Sequence, residues 1–94
     1  MTRDASFYFA NLGADVTRCV SAARRGDTVR YDDSLVRAYR TLEDLHKTAR
    51  PEAYEEGLLM LRGLALARAT PEALSSFQLA LDSLVGLSLT RLAI

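Results

Sequence analysis

The chain has 94 residues, 49% of them hydrophobic, and its twelve basic and twelve acidic side chains give a formal net charge of zero. This length suits one domain whose limited core favours oligomerisation, and the hydrophobic content excludes a disordered chain. Because the charges balance, there is no overall field to attract nucleic acid, anionic membranes or acidic substrates.

Cysteine content and hydropathy indicate a compartment. The one cysteine, Cys19, rules out an intramolecular disulfide and is typical of a reducing environment, so we expect a cytoplasmic protein. No basic stretch followed by an apolar run occurs near Met1, and no segment approaches the ~18 consecutive apolar residues of a membrane span. The sequence therefore predicts a protein with no membrane partner.

The first predicted helix covers residues 4–24. Its apolar residues recur every three or four positions, as in an amphipathic helix. Gly26 stands where a residue in the left-handed conformation would end the helix, and Asp27 or Thr28 is suited to cap the next one. We interpret Cys19 as a small buried apolar residue rather than a nucleophile. The apolar face consists of Ala5, Phe9, Leu12, Val16, Cys19 or Val20, and Ala23.

The second predicted helix, residues 29–48, has the most regular apolar pattern in the chain. Its apolar residues alternate spacings of four and three, which predicts burial of one face. They are Tyr31, Leu35, Ala38, Leu42, Leu45 and Ala49. Charged residues occupy the opposite side at the same spacings and are expected to face solvent. They are Asp33, Arg37, Arg40 and Asp44.

Two similar segments predict the starts of two further helices. Residues 49–53 and 69–73 both read A-x-P-E-A. Proline is favoured in the first turn of a helix, and the glutamate after it faces the positive end of the helix dipole. We therefore expect a helix over 51–68 and another that begins at residue 71. The last helix ends near 85 or continues to 92, because the residues after Gly86 suit either a helix or an extended segment.

Four helices joined by short turns predict an all-α, single-domain protein, namely an up-down-up-down antiparallel four-helix bundle. Exchange of helices between two chains is a weaker alternative. In the third helix, Leu58, Leu61 and Ala65 suit the core, and Met60, Leu64 and Ala67 widen the buried arc. Gly57 and Gly63 in the same helix are expected to allow close helix packing.

Some apolar residues are left over by this bundle. They lie off the buried faces or in the apolar C-terminal segment, and contiguous apolar patches are rare on soluble monomers. We therefore predict a protein-protein interface, most simply a homo-oligomer, although another protein is also a possible partner. The predicted interface residues are Phe7, Leu59, Leu66, Leu87, Leu89 and Leu92.

Glu43 and His46 form an E-x-x-H sequence, the spacing used by di-metal carboxylate bundles. A complete site would need duplication across an oligomer, and helical geometry points Leu42 and Leu45 inward instead. We therefore expect no metal or other cofactor, and a metal-dependent bundle with this Glu43-x-x-His46 site duplicated across an oligomer is kept as an alternative function. With one histidine, no catalytic triad and no glycine-rich phosphate loop, the sequence predicts a non-enzymatic protein.

Arginine outnumbers lysine eleven to one, and one cluster surrounds the turn between the first two helices. Arg18, Arg24, Arg25 and Arg30 form this cluster. Such a cluster suits phosphate groups, so a nucleic-acid-binding accessory protein is one alternative, although neighbouring aspartates partly neutralise it. The leading hypothesis is a helical scaffold or accessory protein that acts by self-association.

Overall fold

The computed structural model describes residues 3–92, with side chains described as far as residue 90. Within these residues the secondary structure consists of four α-helices. They are α1 (Ala5–Arg24), α2 (Thr28–His46), α3 (Pro51–Ala67) and α4 (Pro71–Leu92). The prediction of an all-α four-helix protein is confirmed.

Local capping chemistry sets where the helices begin. Asp4 accepts a hydrogen bond from the Phe7 N–H at the start of α1, at 2.9 Å. At the start of α2, Asp27 caps in the same way, and at the start of α4 the hydroxyl of Thr70 accepts from the Ala73 N–H. The third helix begins at Pro51 without a side-chain cap, and proline suits this position because the first turn of a helix has no partner for its N–H.

The helix ends are also local features, with one correction. Gly26 has φ of 69° after α1, as expected of a left-handed cap. The second helix ends at His46 rather than at residue 48, and Ala49 has φ of 59° in the following turn. Ala49 is thus exposed and does not extend the apolar face of α2. Arg50 is also non-helical, with φ of −115° and ψ of 81°, because a residue before proline is disfavoured in the helical conformation.

The last helix continues through Gly86 to Leu92, so the longer of the two predicted ends is correct. A methyl group added at Gly86 would meet no atom within 4 Å, which means that this glycine faces open space. Residues 93 and 94 lie outside the described residues.

The first and third helices lie at the centre of the packing. Each contacts all three other helices, whereas no contact between α2 and α4 occurs among the described residues. Gly13 of α1 lies against Val85 of α4, and Arg24 of α1 hydrogen-bonds to Ser75 of α4. The earlier residue of α1 thus meets the later residue of α4, so the two helices are antiparallel. This direction is compatible with an up-down-up-down arrangement.

The core lies between α1 and α3 and is closed on its two sides by α2 and α4. Phe9, Leu12 and Val16 of α1 are fully buried, as is Leu45 of α2. Gly57 of α3 allows a close approach to α1 and α2. A methyl group there would lie 2.8 Å from Cδ1 of Leu42 and 2.9 Å from Cδ2 of Leu12.

The buried face of α3 differs in one respect from the sequence prediction. Met60, Leu64 and Ala67 are buried, and Leu61 is buried beside them, but Ala65 is exposed. At about 100° per residue, Ala65 lies about 140° around the helix from Met60, the centre of the buried arc. Met60, Leu64 and Ala67, which were expected only to widen the buried arc of α3, therefore form its main part.

Candidate functional site

Three exposed leucines lie on the paired helices α3 and α4. Leu59 and Leu66 of α3 are 62% and 79% exposed, and Leu87 of α4 is 65% exposed. Gly63 faces α4, because a methyl group there would lie 2.8 Å from Cε1 of Phe77. Leu59 and Leu66 are within about 40° and 60° of Gly63 around the helix, so both flank α4. We call Leu59, Leu66 and Leu87 the outer leucine face.

The other predicted interface residues are not part of this face. Phe7 is 40% exposed on α1, about 200° around the helix from the buried Phe9. Its ring packs edge-on against Tyr8 and lies 4.6 Å from the guanidinium carbon of Arg3. Leu89 is half-buried against the core rather than exposed. The side chain of Leu92 lies outside the described side chains.

Sequence reasoning missed Leu79, which is 74% exposed on α4. The sequence did indicate its exposure, because Leu79 lies about 200° around the helix from Leu81, which was correctly expected to be buried. Leu79 adds to the apolar surface of α4 beyond the outer leucine face.

The composition of α4 is unusual for a helix at the surface of a bundle. Residues 71–90 have the length and average hydropathy of a membrane-crossing helix, and only 17% of the qualifying window is buried. A search for uninterrupted apolar residues misses this segment because polar residues, among them Glu72, Gln78 and Asp82, interrupt it. Core helices of soluble proteins pass the same test, so composition alone does not place α4 in a membrane.

Glu43 and His46 are exposed on α2. The imidazole of His46 stacks on the ring of Tyr54 from α3, with ring centroids 4.2 Å apart and planes 22° from parallel. Among the described residues, no group of three histidine, cysteine or acidic side chains is placed to hold a metal ion. In this structure His46 therefore contributes to the α2–α3 contact.

The predicted arginine cluster divides into two parts. Arg18, Arg25 and Arg30 line one groove between α1 and α2, and Arg37 joins them. Arg24 points instead towards α4, where it donates a hydrogen bond to the hydroxyl of Ser75 at 3.0 Å. Sequence reasoning missed Arg37 for this groove, although it follows Arg30 by seven residues and so lies on the same helix face.

A buried carboxylate, that of Asp15, contacts one of the arginines that line this groove. Asp15 is 6% exposed and accepts hydrogen bonds from Arg18 at 3.0 Å and from the hydroxyl of Thr41 at 3.1 Å. Buried charges are normally paired in this way, because an unpaired carboxylate would be costly. Asp15 thereby joins α1 to α2 and holds Arg18 in place.

Cys19 is fully buried, and its Sγ lies 3.8 Å from the carbonyl oxygen of Tyr31. Burial, and secondly the charge of Asp15, raise the pKa of the Cys19 thiol from 9.0 to about 11. Because the thiolate is the reactive form, this cysteine is a poor nucleophile at neutral pH. Its position agrees with the interpretation of Cys19 as a small apolar core residue.

Comparison of the chain with protein-family models, with curated proteins and with solved structures finds no match.

Proposed function

We propose that this protein is a non-enzymatic helical scaffold or accessory protein that self-associates through the outer leucine face. The observation that carries the proposal is the exposure of Leu59 and Leu66 on the side of α3 that flanks α4, together with the exposure of Leu87 on α4. Soluble monomers rarely leave contiguous large apolar side chains in water. Association of two copies would remove these leucines from water without a second gene product.

The residues around the leucines favour close packing of helices. On α4, three exposed small residues precede Leu87 at spacings of four, three and four, so they lie on the same side of the helix. They are Ser76, Ala80 and Ser83. Small side chains let the leucines of a partner helix approach the backbone, as in well-packed helix pairs.

Charge favours a second copy of the same chain as the partner. Glu55 and Arg62 are exposed on α3, four residues before and three residues after Leu59. A two-fold axis near Leu59 would bring Glu55 of one copy to within about one residue of Arg62 of the other. An isologous interface requires such self-complementarity, and two ion pairs would then flank the leucine contact.

Insertion of α4 into a membrane is the competing use of its apolar surface. Leu74 and Leu81 of this helix are buried in the core, and Ser88 hydrogen-bonds to Glu56 of α3. Insertion would break these contacts and would place Asp82 in hydrocarbon, which is costly. Self-association uses the same apolar surface and keeps the four-helix packing intact.

The test compares two double variants with the same residue spacing. Leu59→Glu with Leu66→Glu changes the outer leucine face. Val29→Glu with Val36→Glu makes the matched change on the exposed side of α2, where both valines are solvent-facing. Molar mass is measured by light scattering after size-exclusion chromatography at micromolar concentration, and helix content by circular dichroism.

We expect the wild type and the valine variant to be dimers or larger oligomers and the leucine variant to be a folded monomer. The leucine variant should dissociate because association would bury the unpaired carboxylates of its two new glutamates, which is costly. A monomeric wild type would reject self-association, and an unchanged oligomer in the leucine variant would move the interface to another surface. Co-sedimentation of a monomeric wild type with phospholipid vesicles would favour the membrane alternative.

A further inference from the structure

The groove between α1 and α2 is a concave surface that the proposed function leaves unused. Its volume is about 470 Å³, within the roughly 300–1,000 Å³ typical of small-ligand sites. Four arginines line it in two pairs of the same spacing: Arg18 of α1 with Arg25, the residue that follows α1, and Arg30 with Arg37 of α2. Seven residues, close to two helical turns, separate the members of each pair, so the two arginines of a pair lie on the same helix face. All four side chains therefore line the same groove.

The four arginines differ in their partners. Arg18 forms an ion pair with Asp15 at 3.0 Å, and Arg30 forms one with Asp27 at 3.3 Å. Neither Arg25 nor Arg37 has a carboxylate within salt-bridge distance in the part of the chain whose side chains are described. Two guanidinium groups in the groove are thus free to bind an anion.

Hydroxyl groups complete the lining. Ser21 of α1 and Ser34 of α2 both line the groove, and Ser34 is buried. Arginine binds phosphate oxygens through a planar fork of N–H donors, and serine hydroxyls add single donors. From this combination we infer that the α1–α2 groove binds a compact phosphate-bearing small molecule, with Arg25 and Arg37 as its main charged contacts.

The charges around the groove favour a compact ligand over nucleic acid. Asp33 also lines the groove, and Asp27 and Asp32 lie close to it in the sequence. A nucleic-acid backbone would require a continuous basic track, and the chain has no net positive charge to support one. A small molecule needs only the local site, and Asp33 is available to accept a hydrogen bond from a hydroxyl group of the same ligand.

The experiment measures binding of inorganic pyrophosphate and of a hexose 6-phosphate by titration calorimetry, with a single-stranded oligonucleotide as the comparison ligand. The test variant is Arg25→Gln with Arg37→Gln. Arg40→Gln with Lys47→Gln is the matched control, since it removes the same charge from exposed positions that do not line the groove. Circular dichroism checks that both variants remain helical.

We expect the wild type to bind a phosphate probe with a Kd of about 1 mM or tighter, and the test variant to bind at least about tenfold more weakly than the control. Absence of binding by both phosphate probes would overturn the inference. So would equal weakening in the two variants, because the attraction would then be general rather than local. Tighter, salt-sensitive binding of the oligonucleotide would replace the inference with nucleic-acid binding.

Discussion

Arg68 lies over the ring of Tyr31, with the guanidinium carbon 4.0 Å from the ring centroid. Tyr31 is in the second turn of α2 and is buried, whereas Arg68 follows the last residue of α3. The contact therefore joins the start of one helix to the end of another. Burial raises the pKa of Tyr31, and the positive charge of Arg68 acts in the opposite direction.

Removal of that charge is expected to change both the ionisation of Tyr31 and the stability of the fold. In Arg68→Met the pKa of Tyr31 should rise further, because the cation that favours the phenolate is gone. The free energy of unfolding should fall by ~0.5–1 kcal/mol, as for an exposed cation-π contact. A pH titration of the tyrosine ¹³Cζ resonances, assigned with Tyr31→Phe, checks the first point. A lower pKa in the variant would contradict it.

The apolar face of α2 provides a test of the core. Leu42 is 5% exposed, so Leu42→Ala should reduce the free energy of unfolding by about 2–5 kcal/mol, as for other buried leucines. Val36→Ala on the exposed side of the same helix should change it by less than ~0.5 kcal/mol. Denaturant unfolding followed by circular dichroism measures both values. Equal effects at the two positions would show that the buried face of α2 is assigned incorrectly.

Two glycines should respond in opposite directions to the same substitution. Gly57→Ala should destabilise the protein by about 1–3 kcal/mol, because the new methyl group would collide with the buried side chains of Leu42 and Leu12. Gly86→Ala should stabilise it by about 0.5–1 kcal/mol, since alanine favours the helix and the space there is open. Thermal unfolding compares the two variants with the wild type. A stabilised Gly57→Ala would be inconsistent with the close packing of α3.

Alkaline pH should destabilise the protein partly through Cys19. The folded pKa of about 11 exceeds the ordinary value of 9.0, so the folded state holds its proton more tightly than the unfolded state. The stabilising effect is therefore complete below pH 9 and is lost as the pH rises through about 11. Stability measured by urea unfolding should fall less steeply over this range in Cys19→Ser. Identical pH dependence in the two proteins would show that the thiol is not buried as described.

Helix starts and stops could be predicted because the groups that decide them are close in sequence. Asp4, Asp27 and Thr70 cap helices through hydrogen bonds that span three residues, and the two A-x-P-E-A segments begin helices in the structure as expected. The early end of α2 at His46 was missed, because the apolar spacing continues to Ala49 beyond the point where the backbone turns.

The candidate surfaces were predicted less completely. Exposure of Leu59 and Leu66 follows from their angle around α3, which the sequence specifies. The burial of part of Leu89 depends on where α4 packs, and a helix pattern does not contain that information. The same applies to Arg24, which lies next to Arg25 in sequence but faces a different helix.

The sequence by itself determined the all-α class, the four helices and most buried positions, because capping and helical periodicity depend on neighbours a few residues away. Only the tertiary structure decided that α1 and α3 form the centre and that Arg37 joins Arg25 in one groove. It also decided that Ala65 is exposed while Met60 and Leu64 are buried. These outcomes depend on how helices distant in sequence approach each other, and that approach is set by the packing of the whole core.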